Sequence, residues 1–262
     1  MTGPEYHWQS PDHQATLYCG DTVDVMRAFP PESVDVVWAD PPYFLSDESG
    51  VTCKNGQMVG VDKGKWDRKR SLAEVHRFNG MWLRAARRLL RSDGTIWICG
   101  SHHNIHSVGV ALVQLGYHVL NEVVWEKPNP PPNLACRYLT HSHETLLWAA
   151  KSRTARYHFD YEALKRLNAD KQMRDVWRGP PPNKAEKTGH PTQKPLWLVS
   201  RCLNAAAKPG AVVLDPFNGS GTTGEAVVSI PDHGWQYLGI DHDGSCLDTT
   251  RERLLRERPL WH

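Results

Sequence analysis

The sequence predicts one α/β domain whose central sheet is mostly parallel. Short apolar and β-branched runs alternate with helical patterns along the 262 residues, and this alternation is typical of a parallel sheet covered by helices. The length suits a single large α/β domain with a small insertion. Seven runs are predicted as strands: ATLYC (15–19), SVDVVWAD (33–40), GTIWICG (94–100), HVLNEVVW (118–125), ETLLWAAK (144–151), AVVLD (211–215) and WQYLGID (235–241).

Three stretches between these strands have helical patterns. The clearest helix opens at Ser71, where Glu74 completes a capping box, and Asp93-Gly94 is expected to stop it. The stretches 103–116 and 194–207 are the other two predicted helices. The apolar face of the first helix, which should pack on the sheet, consists of Val75, Phe78, Trp82, Ala86 and Leu89.

Composition excludes several classes of protein. With 40% hydrophobic and 23% charged residues, the chain resembles an ordinary folded protein rather than a disordered one. No apolar run approaches the roughly 18 residues of a membrane span, and positions 1–14 contain no signal core. The six cysteines form no C-x-x-C pair, which argues against a zinc site and against a disulfide framework. We expect a cytoplasmic protein with reduced cysteines and no membrane association.

Two stretches interrupt the alternation. Residues 44–66 are polar and glycine-rich and follow a strand, so we expect a mobile loop beside a site. Residues 151–189 hold ten Lys/Arg against five Asp/Glu, whereas the whole chain has a net charge of +2. Such an excess is typical of a surface for polyanions such as DNA, although a solvated loop explains it equally well. The candidate DNA contacts in this segment are Arg153, Arg156, Arg174, Arg178 and Lys184.

A tetrapeptide at the end of the second predicted strand carries the catalytic hypothesis. Asp40-Pro41-Pro42-Tyr43 stands where open parallel sheets place catalytic groups. An aromatic amine is a weak nucleophile because its lone pair is delocalised into the ring. The Asp40 carboxylate and the Pro41 carbonyl could accept hydrogen bonds from its two N–H groups, while Tyr43 stacks on a base that has left the duplex.

A second motif, VVLDPFNGSGTTGEA, runs from a strand ending at Asp215 through a glycine-rich turn into a helix. Its glycines would let the backbone approach a nucleotide-like ligand, and Asp241, at the end of the next strand, suits ribose hydroxyls. The G-x-G-x-x-G spacing from Gly219 also fits a nicotinamide cofactor. The Asp-Pro-Phe lead-in favours S-adenosylmethionine, with a nicotinamide-dependent oxidoreductase as the alternative.

The three strings DPPY, HPTQKP (190–195) and DPFNGSGTT, in that order, resemble the β class of DNA amino-methyltransferases. The resemblance extends over nearly the whole chain, and DPPYFLS, SVG and CRYLTHS are most similar to the small adenine methylases that accompany GATC-cutting restriction enzymes. It implies the S-adenosylmethionine-dependent methyltransferase fold, Rossmann-like, with about seven strands in circularly permuted order. Residues 1–150 would form the catalytic half, 151–189 a small target-recognition insertion and 190–262 the cofactor-binding half.

The resemblance also implies a cofactor, a substrate and partners. S-adenosylmethionine would be the methyl donor and N6 of adenine in DNA the acceptor, in a short palindromic site such as GATC, on double strands and also on single strands. N4 of cytosine is the alternative acceptor, and a catalytically silent DNA-binding module is a further one. Relatives form homodimers and accompany restriction endonucleases. The implied cofactor contacts are Asp21, Asp40, His190, Thr192, Lys194, Asp215, Phe217, Asn218, Gly219, Gly221, Thr222 and Asp241.

Two histidine-rich stretches and two tryptophans have competing interpretations. The histidines are expected to serve packing or phosphate contacts rather than a metal, because a metal site needs convergent ligands with satisfied partners. Trp66 and Trp177 are expected in the core rather than in base stacking. The histidine-rich stretches comprise His102, His103 and His106 in one, and His141, His143 and Glu144 in the other.

Overall fold

The computed structural model describes residues 6–44, 47–52, 58–61, 68, 70–133, 136–190 and 192–258. Its strands are β1 (Trp8–Gln9), β2 (Ala15–Cys19), β3 (Val34–Ala39), β4 (Asp47–Thr52), β5 (Met58–Val61), β6 (Leu90–Gly100), β7 (His118–Glu126), β8 (His143–Ala150), β9 (Val176–Arg178), β10 (Val212–Asp215) and β11 (Gln236–Asp241). Its helices are α1 (Thr22–Ala28), α2 (Leu72–Leu89), α3 (Ile105–Gln114), α4 (Tyr161–Arg166), α5 (Leu196–Ala206), α6 (Thr222–Val228) and α7 (Gly244–Glu257).

The main sheet contains all seven predicted strands and two short additions. Its order is β1-β2-β11-β10-β3-β6-β8-β7-β9. The five strands from β2 to β6 are mutually parallel, and β9 runs parallel to β7, whereas β8 is antiparallel to both of its neighbours. The prediction of a mostly parallel α/β sheet is therefore confirmed, with β1 and β9 extending its two margins.

The parallel strands define two opposite edges of the sheet. The carboxyl edge holds the last residues of β2, β11, β10, β3, β6 and β7, and the amino edge holds their first residues. Because β8 is antiparallel to β6, with Gly100 facing Thr145, it begins at the carboxyl edge and ends at the amino edge. Catalytic and ligand-binding groups of such sheets lie at the carboxyl edge.

Helices cover both faces of the sheet and bury two separate apolar layers. On one face α1, α2 and α3 pack against side chains such as Val37 and Ala39 of β3. On the other face α4, α5, α6 and α7 pack against Val36 and Trp38 of the same strand. This alternation along β3 is the two-residue period of a strand whose two faces are both buried. Trp177 belongs to the second layer and is 4% exposed, so its prediction as a core residue is confirmed.

Helix α2 begins as predicted but ends earlier. Ser71 and Glu74 form the reciprocal capping box, yet the helix stops at Leu89 and the chain passes directly into β6. The prediction that Asp93-Gly94 stops this helix was wrong. Gly94 lies inside β6, where an added Cβ would meet the Asp35 carbonyl oxygen at 3.0 Å, so this glycine permits a close approach of two strands rather than a helix end.

The two interrupting stretches contain more regular structure than expected. Within 44–66, predicted as a mobile loop, β4 and β5 form a two-stranded antiparallel sheet and Phe44 is buried. The other residues of that stretch, including Cys53 and Trp66, lie outside the described residues. Within 151–189, α4 is followed by β9, which extends the main sheet by pairing with β7. Where the structure is described, none of the helices has the length and apolar content required to cross a membrane.

Candidate active site

A cleft of about 960 Å³, including the part open to solvent, lies at the carboxyl edge between β3 and β10. Here the chain leaves the two strands toward opposite faces, since α2 covers one face and α6 the other. A doubly wound sheet opens a crevice at such a switch point. The predicted site residues that line it are Asp40, Pro41, Pro42, Tyr43, His190, Thr192, Lys194, Asp215, Phe217, Asn218, Gly219, Thr222 and Asp241.

Asp40 is held by donors from two parts of the chain. Lys194 donates to its Oδ2 atom, and the Tyr43 hydroxyl donates to Oδ1 at 2.7 Å. Burial raises the pKa of Asp40, and the nearby Glu144 carboxylate also raises it, against the lowering effect of Lys194. A carboxylate has about four lone-pair positions, so two donors leave room for a further N–H group.

An asparagine side chain stabilises the Asp-Pro-Pro-Tyr turn through a hydrogen bond. Asn104, at the start of α3 and fully buried, donates to the Pro42 carbonyl at 3.2 Å. Its own carbonyl accepts from Asn79 of α2 at 2.7 Å. Asn104 thereby fixes the turn at Pro42, and Pro41, which also lines the cleft, keeps its predicted role as the second acceptor.

Glu144 completes this cluster. From the sequence it was predicted only as part of a histidine-rich stretch, not as a residue of the active site. Its carboxylate lies 3.5 Å from Lys194 Nζ and accepts from Lys127 at 2.5 Å. The Tyr43 hydroxyl is 3.3 Å away. Burial alone would raise the pKa of Glu144, but the two lysines together lower it to about 2. The pKa of Lys194, which burial alone would lower, is raised by Asp40 and Glu144, so Glu144 and Lys194 are both charged at neutral pH.

The glycine-rich turn after β10 forms a backbone cradle. Gly219 has φ +50°, and a Cβ on it would point at the His190 ring 3.4 Å away. Gly221 has φ +78°, and its Cβ would collide with Thr250 at 2.4 Å. Glycine adopts positive φ angles without strain, and it has no Cβ to collide with a close neighbour. Gly221 therefore shapes the turn and closes it against α7, while Gly219 lies on the surface of the cleft.

Asn218 stabilises the turn from behind. Its side-chain oxygen accepts from the Tyr237 hydroxyl at 2.6 Å, and its amide donates to Thr250 at 2.8 Å. Both ends of the Asn218 side chain are therefore engaged by these buried partners. The predicted contact between Asn218 and the cofactor stays a prediction, and its backbone is the part that would make it. The same support includes Arg253, 2% exposed, which donates to the Ser220 carbonyl at 3.1 Å.

Two carboxylates flank the cradle. Asp215 accepts from the Phe217 amide at 3.0 Å and from the Thr223 hydroxyl at 2.5 Å. Burial raises its pKa to about 7, with further raising by Asp40 and Asp241. Asp241 accepts from the Gly219 amide at 2.8 Å, so it joins the end of β11 to the turn.

The residues present fit S-adenosylmethionine. The cofactor carries a cationic sulfonium and an ammonium group, and the cleft offers four carboxylates, Asp40, Asp215, Asp241 and Asp243. An adenine ring needs an apolar wall, and the ring of Phe217 is fixed edge-on against Trp82 at 5.3 Å. Asp21 does not line the cleft but caps α1 through the amides of Val23 and Asp24.

The five predicted DNA contacts fall at different edges of the sheet. Arg178 ends β9, opposite Glu126 at the carboxyl edge, and Lys184 lies in the connection from there to α5. Arg174 precedes β9, and its carbonyl accepts from Trp177 at 2.6 Å. Arg153 and Arg156 follow the end of β8 at the amino edge, where Arg156 lines a separate cleft beside Glu32 and Asp93. The structure does not bring these last two arginines to the catalytic cleft.

Comparison with known proteins agrees with this geometry. Residues 34–252 match a family described as DNA methylase, of the N6/N4 type. The chain is 46% identical to the Type II methyltransferase M2.DpnII of Streptococcus pneumoniae, over 98% of this chain and 94% of that protein. It is 44% identical to M2.MboI of Moraxella bovis, over 97% of this chain and 92% of that protein.

Solved structures share the fold. The crystal structure of M1.HpyAVI with S-adenosylmethionine has a TM-score of 0.67 at 26% identity, covering 92% of this chain and 98% of that one. The cytosine-N4-specific PvuII DNA methyltransferase has a TM-score of 0.73 at 15% identity, covering 99% and 94%, which shows the fold alone. The predicted fold, cofactor and enzyme class are confirmed, and the oxidoreductase alternative is set aside. This chain belongs to the N6/N4 DNA methylase family and is an S-adenosylmethionine-dependent DNA methyltransferase.

Proposed function

We propose that this enzyme methylates N6 of adenine in a short palindromic DNA site of the GATC type, on duplex and also on single strands. The observation that carries the proposal is the Asp40 carboxylate on a double-proline turn, in the same cleft as the Gly219 cradle. The target follows from Asp at position 40, which is the usage of the adenine methylases that the sequence resembles. The similarity to M2.DpnII and M2.MboI supports the same assignment.

Binding of the cofactor falls to the second half of the cleft. We assign Asp215 to its cationic methionine end, Asp241 to the ribose hydroxyls and Phe217 to the adenine ring. His190 and Thr192 line the same cleft and would surround the methionine end. When bound there, S-adenosylmethionine supplies an electrophilic methyl group. No protein nucleophile is needed, because the acceptor amine attacks that methyl group directly.

Asp40 and Pro41 act on the acceptor. Each accepts a hydrogen bond from one N–H of the flipped base, which draws the nitrogen toward tetrahedral geometry and localises its lone pair. Tyr43 packs against the base and offsets part of the few kcal/mol lost on unstacking. After methylation the surplus proton leaves the amine through Asp40, whose raised pKa makes it a stronger acceptor than an exposed aspartate.

Lys194 and Glu144 set the charge on Asp40. Lys194 alone would hold Asp40 in a tight ion pair and reduce its basicity. Glu144 shares that lysine at 3.5 Å and adds a negative charge nearby. We therefore assign Glu144 as a positioning residue that keeps Lys194 between two carboxylates and leaves Asp40 able to accept from the amine.

DNA would approach the carboxyl edge. We assign DNA-backbone contacts to Arg174, just before β9, to Arg178, at its end, and to Lys184, in the connection to α5. Arg153 and Arg156, at the amino edge, take no part in this surface. We further propose that the enzyme works in the cytoplasm, on the chromosome, as a homodimer, and beside a cognate restriction endonuclease.

The test is incubation of plasmid and single-stranded DNA with the enzyme and labelled cofactor, followed by mass spectrometry of the nucleosides. N6-methyladenine, mapped to GATC, is the expected product, whereas N4-methylcytosine would transfer the proposal to the other amine. Asp40→Ala should abolish transfer while cofactor binding largely survives, and Asp232→Asn, on an exposed turn, should leave both unchanged. Retained transfer by Asp40→Ala would overturn the mechanism.

A further inference from the structure

A row of exposed rings lies beside the cleft and takes no part in the chemistry described above. It consists of Tyr138, His141, His102 and His103, and we call it the ring row. His102 stacks on His141 with centroids 4.4 Å apart and planes at 19°. His103 lies 3.8 Å from His102 on one side, and Tyr138 lies 5.6 Å from His141 on the other. All four rings are exposed.

The ring row is fastened to the catalytic turn. His102 and His103 follow β6 and immediately precede Asn104, whose amide holds the Pro42 carbonyl at 3.2 Å. His141 precedes β8, whose second residue is the Glu144 of the charge cluster. Because β6 and β8 are adjacent and antiparallel, both parts of the row lie at the carboxyl edge of the sheet, which also holds the catalytic cleft.

The exposure of this row is unusual for a surface without a partner. Tyr138 is 59% exposed, and Leu139 next to it is 90% exposed. Burial and the surrounding histidines lower the pKa of His102, which favours its uncharged form. Its ring lies between those of His141 and His103, so it joins the outer rings into one stack. Within the part of the chain that the structure describes, no group of three His, Cys, Asp or Glu could hold a metal ion.

We propose that the ring row is a stacking surface for the DNA strand that carries the target base. Flipping one base out of a duplex breaks its stacking with both neighbours, and exposed aromatic rings accept such unpaired neighbours with little regard to sequence. A protein partner on this surface would obstruct the entry of the base, so the row is assigned to DNA.

This inference rests on the proposed function, and it adds a prediction for single strands. A strand without a complement has no duplex stacking to lose, so its bases gain the whole benefit of the row. We expect the ring row to contribute more to the affinity for single-stranded than for double-stranded DNA, whereas charged contacts by Arg178 and Lys184 serve both.

The experiment compares Tyr138→Ala, His141→Ala and His141→Phe with His118→Ala, whose residue lies at the amino edge opposite Ala150. DNA affinity is measured by fluorescence anisotropy on duplex and single strands, base flipping by 2-aminopurine fluorescence at the target, and cofactor affinity by calorimetry. Loss of one stacking ring should weaken single-strand binding by roughly 5- to 150-fold, as base stacking on a ring is worth about 1–3 kcal/mol. Cofactor affinity and the His118→Ala control should not change.

His141→Phe distinguishes stacking on a base from hydrogen bonding to a phosphate, because phenylalanine keeps an aromatic ring but has no N–H group. Retained affinity in His141→Phe with loss in His141→Ala supports the ring row as a stacking surface, and equal loss in both overturns it. DNA affinity of Tyr138→Ala and His141→Ala equal to the wild type also overturns it. Failure of the wild type itself to methylate adenine would instead contradict the proposed function, so the two failures are separable.

Discussion

The pKa of Asp215 predicts how cofactor binding depends on pH. This carboxyl group is buried at the end of β10, and its pKa is raised to about 7. A cationic cofactor favours the ionised form, so its binding must release the proton that the empty protein holds below pH 7. Each pKa unit corresponds to about 1.4 kcal/mol, or a tenfold change in affinity.

The magnitude follows from the fraction of ionised carboxylate. At pH 8 most of the Asp215 side chains are ionised, whereas at pH 6 only about one in ten is. The Kd for S-adenosylmethionine should therefore rise roughly tenfold from pH 8 to pH 6 and a further threefold by pH 5.5. Asp215→Asn should bind weakly at every pH and lose this dependence.

The stability of the empty enzyme changes in the opposite direction. A carboxyl group whose folded pKa lies above its unfolded value favours folding at low pH and loses that contribution as the pH rises through about 7. At pH 8 the ionised, buried Asp215 therefore destabilises the empty protein. Asp215→Asn removes this cost, so its Tm without cofactor should be several degrees higher than that of the wild type at pH 8, and the difference should be about half as large at pH 5.5.

Calorimetric titration with cofactor from pH 5.5 to 8.5 checks these expectations. His190 titrates nearby, with a pKa lowered by burial, so His190→Asn is measured in parallel to separate its contribution. Asp232→Asn serves as the exposed control. A Kd that stays constant across this range in the wild type, or an unchanged slope in Asp215→Asn, would refute the reasoning.

Three further outcomes follow from other parts of the structure. Glu144→Gln should reduce turnover by roughly 10- to 100-fold and shift the acid limb of the pH–rate profile to lower pH, because Asp40 loses a negative neighbour, while Glu122→Gln on the exposed part of β7 should leave the profile unchanged. Gly221→Ala should lower the Tm and weaken cofactor binding, since its φ of +78° and the 2.4 Å approach of a threonine side chain leave no room for a methyl group; an unchanged Tm would contradict this. Arg153→Ala and Arg156→Ala should leave DNA affinity within about twofold of the wild type, and a tenfold loss in filter binding at fixed salt would show that DNA reaches the amino edge.

The sequence determined the strands and the two binding motifs because both are local patterns. Val34–Ala39 and Val212–Asp215 are short apolar runs that end in a carboxylate or lead into one, and each placed its motif at the carboxyl edge. The end of α2 was predicted wrongly from Gly94. In the sequence alone, a glycine that allows a neighbouring strand to approach cannot be told from a glycine that ends a helix.

Two features depended on contacts across the chain. Glu144 stands beside histidines in the sequence, and only the pairing of β8 with β6 places it next to Asp40 and Lys194. Arg153 and Arg156 belong to a basic segment, but the charge of a segment carries no information on which edge of the sheet it occupies. The antiparallel direction of β8 determines both positions, since it places Glu144 at the carboxyl edge and the two arginines at the amino edge.

The position of β10 and β11 has a consequence for how this protein is made. Both strands come from the last quarter of the chain, yet they lie between β2 and β3, which come from the first forty residues. During synthesis β2 and β3 must wait, with unpaired edges, until the carboxyl-terminal strands emerge and insert between them. Such distant pairing slows folding and exposes strand edges to aggregation. Premature termination before residue 212 therefore leaves a gap in the middle of the sheet rather than a shortened margin, and a two-piece enzyme divided in the 179–189 connection should regain activity only when both pieces fold together.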